Sequence, residues 1–223
     1  MKTAAFLSCW CCFFLSAGSA RAEPFSILPD GSVVFNSAVT TQGVFTCGGI
    51  PECSGTGTNT ITVGSGTGML TLTFTGVNKT VAVGNSATLV SLGTFNASTI
   101  DPAFTFPASS NPNVPIFRFQ FLMSQSSPAA GTGGLSMGFG PGGGAALPLL
   151  IGGSYLSFPT GPNPPGFNYT AIVYTLSPFP FTIEGSGATD LQAAAGVIPE
   201  PTTMILVGTG LAGAIGARRR RKV

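Results

Sequence analysis

The chain has 223 residues, of which only 7% are charged, and it contains 32 glycines, 18 phenylalanines and no histidine. The lack of histidine excludes Ser-His-Asp and Cys-His catalysis, zincin motifs and most zinc sites. The formal net charge of +2 comes from the chain ends, because residues 23–198 hold two bases and six acids, a net charge of −4. Nucleic-acid binding needs a basic patch on the folded domain, so this class is excluded as well.

The first 22 residues predict a secretory signal peptide. Lys2 gives a positive start, residues 4–17 are apolar, and Ala20-Arg21-Ala22 fits an A-x-A cleavage site. The mature chain is therefore expected to begin at Glu23. The apolar stretch is too short to be the main membrane span. Its three cysteines lie inside the stretch and not beside the cleavage site, so lipidation is not expected.

Residues 23–190 predict one exported all-β domain, an antiparallel β-sandwich with a jelly-roll-like topology. In Met69–Thr75, apolar side chains alternate with threonines, and Ile116–Met123 places phenylalanines on one face. This alternation is typical of an antiparallel sheet that packs on one side. Many short strands with frequent turn residues favour a sandwich or a barrel. Further strands are predicted at Val33–Phe35, Val44–Cys47, Thr58–Val63, Lys79–Val83, Ala87–Phe95, Leu147–Ile151, Tyr155–Phe158, Asn168–Leu176 and Phe181–Glu184.

Three stretches rich in Gly, Ser and Pro are predicted as loops: 124–134, 140–144 and 159–166. Residues 190–195 look locally helical, and residues 191–198 are assigned to a linker before the C-terminal segment.

Cys47 and Cys53 are the two cysteines that remain once the signal peptide is removed. An even pair in an exported protein predicts a disulfide. In the loop-entropy model, a closure this short contributes roughly 2 kcal/mol. The alternative is a metal pair, for which the chain offers no histidine and no other mature cysteine.

No catalytic, cofactor-binding or metal-ligating residue is predicted. Residues 134–138 match G-x-S-x-G around Ser136, but a nucleophile elbow needs a strand-turn-helix context and a histidine base. A glycosidase needs two facing carboxylates, and Asp101 and Glu184 are candidates that nothing in the sequence brings together. Tyr155, Tyr169 and Tyr174 could stack on sugars, although core packing is the favoured role for all three.

The C-terminal segment has three parts in order. Pro199, Glu200 and Pro201 come first, an uncharged run over 202–217 follows, and Arg218, Arg219, Arg220, Arg221 and Lys222 form a basic anchor. A helix of the run's length reaches about 24 Å, and snorkelling side chains and local thinning fit it to a bilayer core of about 30 Å. The run therefore predicts a single transmembrane helix. Five cations resist translocation, so the tail is expected in the cytoplasm and the domain outside.

These three parts, behind a signal peptide, closely resemble the PEP-CTERM sorting signal of bacteria that make exopolysaccharide. The resemblance covers roughly residues 197–223, with the signal itself at 199–223. It implies that Pro199, Glu200 and Pro201 are recognition residues for the membrane protease exosortase, and that processing occurs nearby. Exosortase and the secretion machinery are then the expected partners. The alternative is an ordinary tail anchor.

The leading hypothesis is an exported, non-enzymatic surface or matrix protein, associated with exopolysaccharide or biofilm and using no cofactor. It is expected to be anchored in the inner membrane before processing and to reach the cell surface or the medium afterwards. A carbohydrate-binding or adhesive module is the second hypothesis. An exported hydrolase using paired carboxylates is the third.

Overall fold

A computed structural model describes residues 24–48, 52–65, 68–99, 115–140, 146–179 and 181–199. These residues form fourteen strands and no helix, arranged in two antiparallel sheets. The strands are β1 (Phe25–Ile27), β2 (Val33–Cys47), β3 (Cys53–Ser54), β4 (Thr60–Ser65), β5 (Gly68–Gly76), β6 (Asn78–Val83), β7 (Thr88–Thr99), β8 (Phe117–Ser127), β9 (Gly131–Phe139), β10 (Leu147–Gly152), β11 (Tyr155–Pro159), β12 (Tyr169–Leu176), β13 (Thr182–Ile183) and β14 (Gly187–Pro199).

The first sheet has the order β1-β2-β8-β9-β10-β13, and β6 lies along the other edge of β2. The fifteen-residue β2 is its longest strand, and it pairs with β8 from Ala38 to Cys47 and with β6 from Phe35 to Thr40. The second sheet has the order β11-β12-β14-β7-β5-β4-β3. β14 therefore lies in the interior of the second sheet, between β12 and β7.

Phenylalanine rings from both sheets fill the space between them. Phe74 of β5 contacts Phe95, and it also reaches across to Phe119 of β8, with ring centroids 4.9 and 4.8 Å apart. Phe45 of β2 packs on Phe119 at 4.8 Å. Tilted and edge-to-face pairs of this kind stabilise a core by about 0.5–1.5 kcal/mol each beyond the burial of their area.

Thr41 of β2 ties the two sheets together by hydrogen bonds. Its buried hydroxyl donates to the carbonyl of Leu92 in β7 at 2.6 Å and accepts from the N–H of Val77 at 2.8 Å. The N–H of Thr41 in turn donates to the carbonyl of Val77 at 2.8 Å. A threonine at this position satisfies buried backbone groups that two separate sheets would otherwise leave unpaired.

The prediction of an all-β, antiparallel domain is confirmed. Every strand predicted from the sequence has a counterpart, and the two predicted at the ends of 33–47 are parts of the single strand β2. The jelly-roll-like topology stays a prediction. The predicted signal peptide, at 1–22, and the predicted transmembrane helix, at 202–217, lie outside the described residues. Within the described residues, no helix meets the length and hydropathy that a membrane crossing requires.

Two assignments made from the sequence are wrong. Residues 190–195 are not helical, and residues 191–198 are not a linker, because both stretches belong to β14. Leu191, Ala193 and Ala195 alternate inward and are fully buried, so tertiary packing overrides the helical propensity of this Ala-rich stretch.

Much of the predicted loop at 124–134 is also strand. Ser124–Ser127 ends β8, and Gly131–Gly134 begins β9. The glycines of β9 have a packing reason, since a Cβ at Gly131 would lie 3.2 Å from the Phe158 ring and one at Gly133 would lie 3.1 Å from Leu156. The predicted loop at 159–166 is confirmed from Thr160 onward, and residues 141–144 lie outside the described residues.

Candidate functional site

The last residues of β14 pair with one neighbouring strand only. Pairing with β7 ends at Ala195, which lies opposite Thr88. Beyond it, Val197 and Ile198 pair with β12 alone, and the Val197 N–H makes one long hydrogen bond, 3.3 Å, to the Gly84 carbonyl. Pro199, opposite Tyr169, has no N–H to offer to the ladder. The described part of the chain thus ends in an interior strand of the second sheet.

The region where β14 leaves the sheet, here called the exit end, comprises the turn 28–32, the loop 84–87 and Ile198. Leu28, Asp30, Gly84 and Asn85 line a cavity of about 390 Å³, and Gly84 is the residue that bonds Val197. Asp30 fixes the turn, because its carboxylate accepts hydrogen bonds from the N–H and the hydroxyl of Ser32. These two bonds hold the pKa of Asp30 below its ordinary value.

Residues 197–221, which begin inside β14, match the family model of the PEP-CTERM protein-sorting motif. The chain carries a PEP-CTERM sorting motif. This motif indicates an exported protein that exosortase processes, with the cell surface or the extracellular space as its destination. Comparison with curated proteins and with solved structures finds no match for the chain.

The structure describes only the start of the PEP-CTERM motif. Pro199 is the last residue of β14, while Glu200, Pro201 and the basic anchor at 218–222 lie outside the described residues. The predicted signal-cleavage residues Ala20, Ala22 and Glu23 also lie outside them. The domain that the PEP-CTERM motif sorts therefore extends up to the motif itself, with no separate linker.

The predicted disulfide is confirmed. Cys47, the last residue of β2, is bonded to Cys53, the first residue of β3, with Cα atoms 5.7 Å apart. The bond closes a six-residue separation and joins the end of the first sheet to the edge of the second. The alternative of a metal pair is therefore not what the structure contains.

The outer surface of β4, β5 and β7 carries an uncharged array of hydroxyl and amide groups, here called the hydroxyl face. The pairing sets its side chains in rows: Thr60, Thr73 and Asn96 lie opposite one another, as do Thr62, Thr71 and Ser98. The Thr60 and Thr73 hydroxyls are 3.1 Å apart, and those of Thr62 and Thr71 are 3.4 Å apart. The alternation of threonines in 71–75 was the sequence signal for this face.

The three tyrosines have different roles. Tyr169 is buried and packs edge-on against Phe35, with ring centroids 5.6 Å apart, so it cannot stack on a sugar. Tyr174 is buried against Phe158. Tyr155 is 62% exposed at the start of the edge strand β11. Core packing is thus confirmed for Tyr169 and Tyr174 and is wrong for Tyr155.

Tyr174 also begins a buried chain of hydrogen bonds between the sheets. Its hydroxyl donates to Ser37 at 2.8 Å, and the Ser37 hydroxyl donates to the side-chain carbonyl of Gln125 at 2.9 Å. The Gln125 amide donates to the carbonyls of Ala129 and Pro159 at 2.9 and 3.0 Å. Each of these buried side chains has a partner, which points to a structural role.

Tyr174 is expected to make stability depend on pH in the alkaline range. Burial raises the pKa of Tyr174 to about 12, against a partial opposing effect of the Ser37 hydrogen bond. Above pH 10 the unfolded tyrosine releases its proton while the folded one retains it, so the stabilisation present below pH 10 is lost as pH rises toward 12. The expected loss is about 3 kcal/mol in the free energy of unfolding.

Urea unfolding from pH 9 to 12, compared between wild type and Tyr174→Phe, measures this loss. The free energy of unfolding of Tyr174→Phe is expected to be lower than that of wild type at pH 9 and to fall less steeply as pH rises to 12. Parallel declines for the two proteins would mean that Tyr174 is not the group responsible.

The candidate catalytic groups do not form a recognisable site in the described residues. Ser136 lies in the middle of β9, opposite Gln120 of β8, and not at a strand-to-helix turn. Glu184 follows β13, where its N–H bonds to the Thr189 hydroxyl, and Asp101 lies outside the described residues. No group of three or more His, Cys, Asp or Glu that could hold a metal ion occurs in the part of the chain described.

Proposed function

We propose that this protein is an exported, non-enzymatic component of the bacterial surface or extracellular matrix that binds uncharged exopolysaccharide through its hydroxyl face. The uncharged hydroxyl face on a domain that carries a PEP-CTERM motif is the observation that supports this proposal. Hydroxyl and amide groups exchange hydrogen bonds with sugar hydroxyls, and the threonine methyl groups provide apolar contacts with sugar C–H groups. Neighbouring strands are about 4.8 Å apart, so the polar side chains of the hydroxyl face repeat at this spacing and present a regular surface to the repeating sugar units of the polymer.

The route to the matrix has two stages in this proposal. The run at 202–217 first holds the exported domain at the inner membrane, with the basic anchor in the cytoplasm. Exosortase then processes the chain near Pro199, Glu200 and Pro201. Release from the anchor frees the domain to reach the polysaccharide outside.

Removing hydroxyls from the hydroxyl face should weaken binding to the polysaccharide purified from the producing cells. Thr71→Val combined with Thr73→Val keeps side-chain shape and strand propensity while it deletes two hydrogen-bonding groups. Two lost hydrogen bonds correspond to an affinity reduced by roughly tenfold. Thr132→Val, on the exposed side of β9 in the other sheet, is the matched control and should bind like wild type.

The same titration tests the alternative of an adhesive module with a defined aromatic site, which the exposure of Tyr155 favours. Tyr155→Ala should leave binding unchanged if the hydroxyl face is the contact surface. Loss of binding in Tyr155→Ala, with full binding in the double threonine variant, would assign the site to Tyr155. A wild-type protein that does not bind the polysaccharide would overturn both.

A further inference from the structure

We propose that the exit end lies against the lipid bilayer while the chain is still anchored, with Leu28 and Ile198 inserted among the lipid headgroups. This inference rests on the proposed membrane anchoring of residues 202–217. It assigns a contact surface to the folded domain itself and an orientation to the domain before processing.

The chain between the end of β14 and the uncharged run is very short. Pro199 belongs to β14, and only Glu200 and Pro201 separate it from the uncharged run that begins at Thr202. Consecutive Cα atoms are about 3.8 Å apart, so the three steps from Pro199 to Thr202 span at most about 11 Å. The headgroup region on each side of the hydrocarbon core is roughly 5–8 Å thick. A tether this short brings the exit end into or directly onto the headgroup layer.

Two apolar side chains at the exit end are exposed. Leu28 is 43% exposed and Ile198 is 47% exposed. Both lie close to Gly84, which lines the same cavity as Leu28 and whose carbonyl accepts the hydrogen bond from the N–H of Val197, the residue before Ile198. Apolar side chains at the tip of a domain are stabilised when they insert into the interfacial region of a bilayer.

Most charged side chains of the described domain lie away from the exit end. Among the described residues, Asp30 is the one charged side chain of the exit end. Arg118 lies opposite Thr46 near the other end of β2, and Glu52 precedes the disulfide there. Glu184 lies near the start of β14, at the end of that strand away from Pro199. With the exit end on the membrane, most of the domain's charges stay in water, where desolvation costs them nothing.

Single tryptophans can test this orientation, because Trp10 is the only tryptophan in the chain. In the chain from Glu23 to Val223, which lacks the signal peptide and with it Trp10, Leu28→Trp reports on the exit end and Val207→Trp reports on the tail. Tyr155→Trp is the control, because Tyr155 pairs with Thr175, toward the end of β12 away from Pro199. Each protein is reconstituted into phosphatidylcholine and phosphatidylglycerol vesicles that carry bromine on the acyl chains, and quenching is compared with that in unbrominated vesicles.

The expected result is a loss of most of the fluorescence at position 207, clear but smaller quenching at position 28, and little change at position 155. Quenching at 207 together with equal, weak quenching at 28 and 155 would overturn the contact surface and leave the anchor intact. It would also be the result expected if a protein, and not lipid, covered this end. No quenching at 207 would instead refute the membrane anchoring on which the inference rests.

Discussion

Replacing Gly93 by alanine is expected to lower the free energy of unfolding by about 2–5 kcal/mol, the sum of backbone strain and overpacking. Gly93 lies in β7 with φ at +147°, a region that L side chains rarely adopt. The strand pairing shifts register at this point, where Leu191 lies opposite Gly93 and Gln192 lies opposite Ser91. A Cβ here would lie 2.4 Å from the Phe74 ring and 2.8 Å from the Thr75 carbonyl oxygen.

Gly187→Ala separates the two contributions to that loss. Gly187 also has a positive φ, +79°, but nothing lies within 4 Å of a Cβ built there. It should therefore lose only the strain, about 1–2 kcal/mol. Urea unfolding of both variants gives the comparison. Equal losses would mean that the Phe74 ring and the Thr75 backbone both give way to the new Cβ, and the tight packing around Gly93 would then contribute little to stability.

Replacing Glu200 and Pro201 by alanine is expected to abolish processing and leave the full tail attached. Both residues lie beyond β14, so their replacement should leave the domain folded, whereas a change at Pro199 also alters the end of a strand. The matched control is Thr202→Ser with Thr203→Ser, in the neighbouring run, which should be processed like wild type. Complete processing of the Glu200 and Pro201 variant would show that these residues are not what exosortase reads.

Alternation in the sequence was enough to predict the strands that form the core of the fold. In 69–75 and 116–123, large apolar side chains alternate with polar ones, and each segment became a strand with that face buried. Residues 191–195 were not predicted as a strand, because an alanine does not reveal from the sequence whether its position is buried or exposed. Only the packing of the rest of the chain decides that Ala193 and Ala195 face inward.

The start of β9 was wrongly predicted as a loop because of its glycines, for a related reason. The Gly-rich residues 131–134 suggest a loop from composition, but here Gly131 and Gly133 leave room for Leu156 and Phe158 of β11. Glycine is required there because β11, about twenty residues later in the chain, packs against these positions. The local sequence around the glycines does not show this packing. Frequent glycine is equally compatible with a turn and with close packing of two sheets.

The sorting motif could be predicted almost completely, while the surfaces of the domain could not. The motif is contiguous in the sequence, so Pro199, Glu200 and Pro201 can be identified without a structure. The hydroxyl face and the exit end are assembled from separate strands and turns, as in the row formed by Thr62, Thr71 and Ser98. Such surfaces require the register of the sheet, which alternation alone leaves undetermined.

The intact mass of the protein recovered from the envelope and the medium of the producing cells shows whether the β domain is released from its anchor by processing near the PEP-CTERM motif. We expect a species that begins at Glu23 and ends near Pro199, Glu200 or Pro201. Such a species would show that both ends are removed and that the β domain is released outside the cell as exosortase cargo. A species that still contains Arg218–Val223 in both fractions would contradict release by exosortase, since the protein would then be a permanently anchored membrane protein.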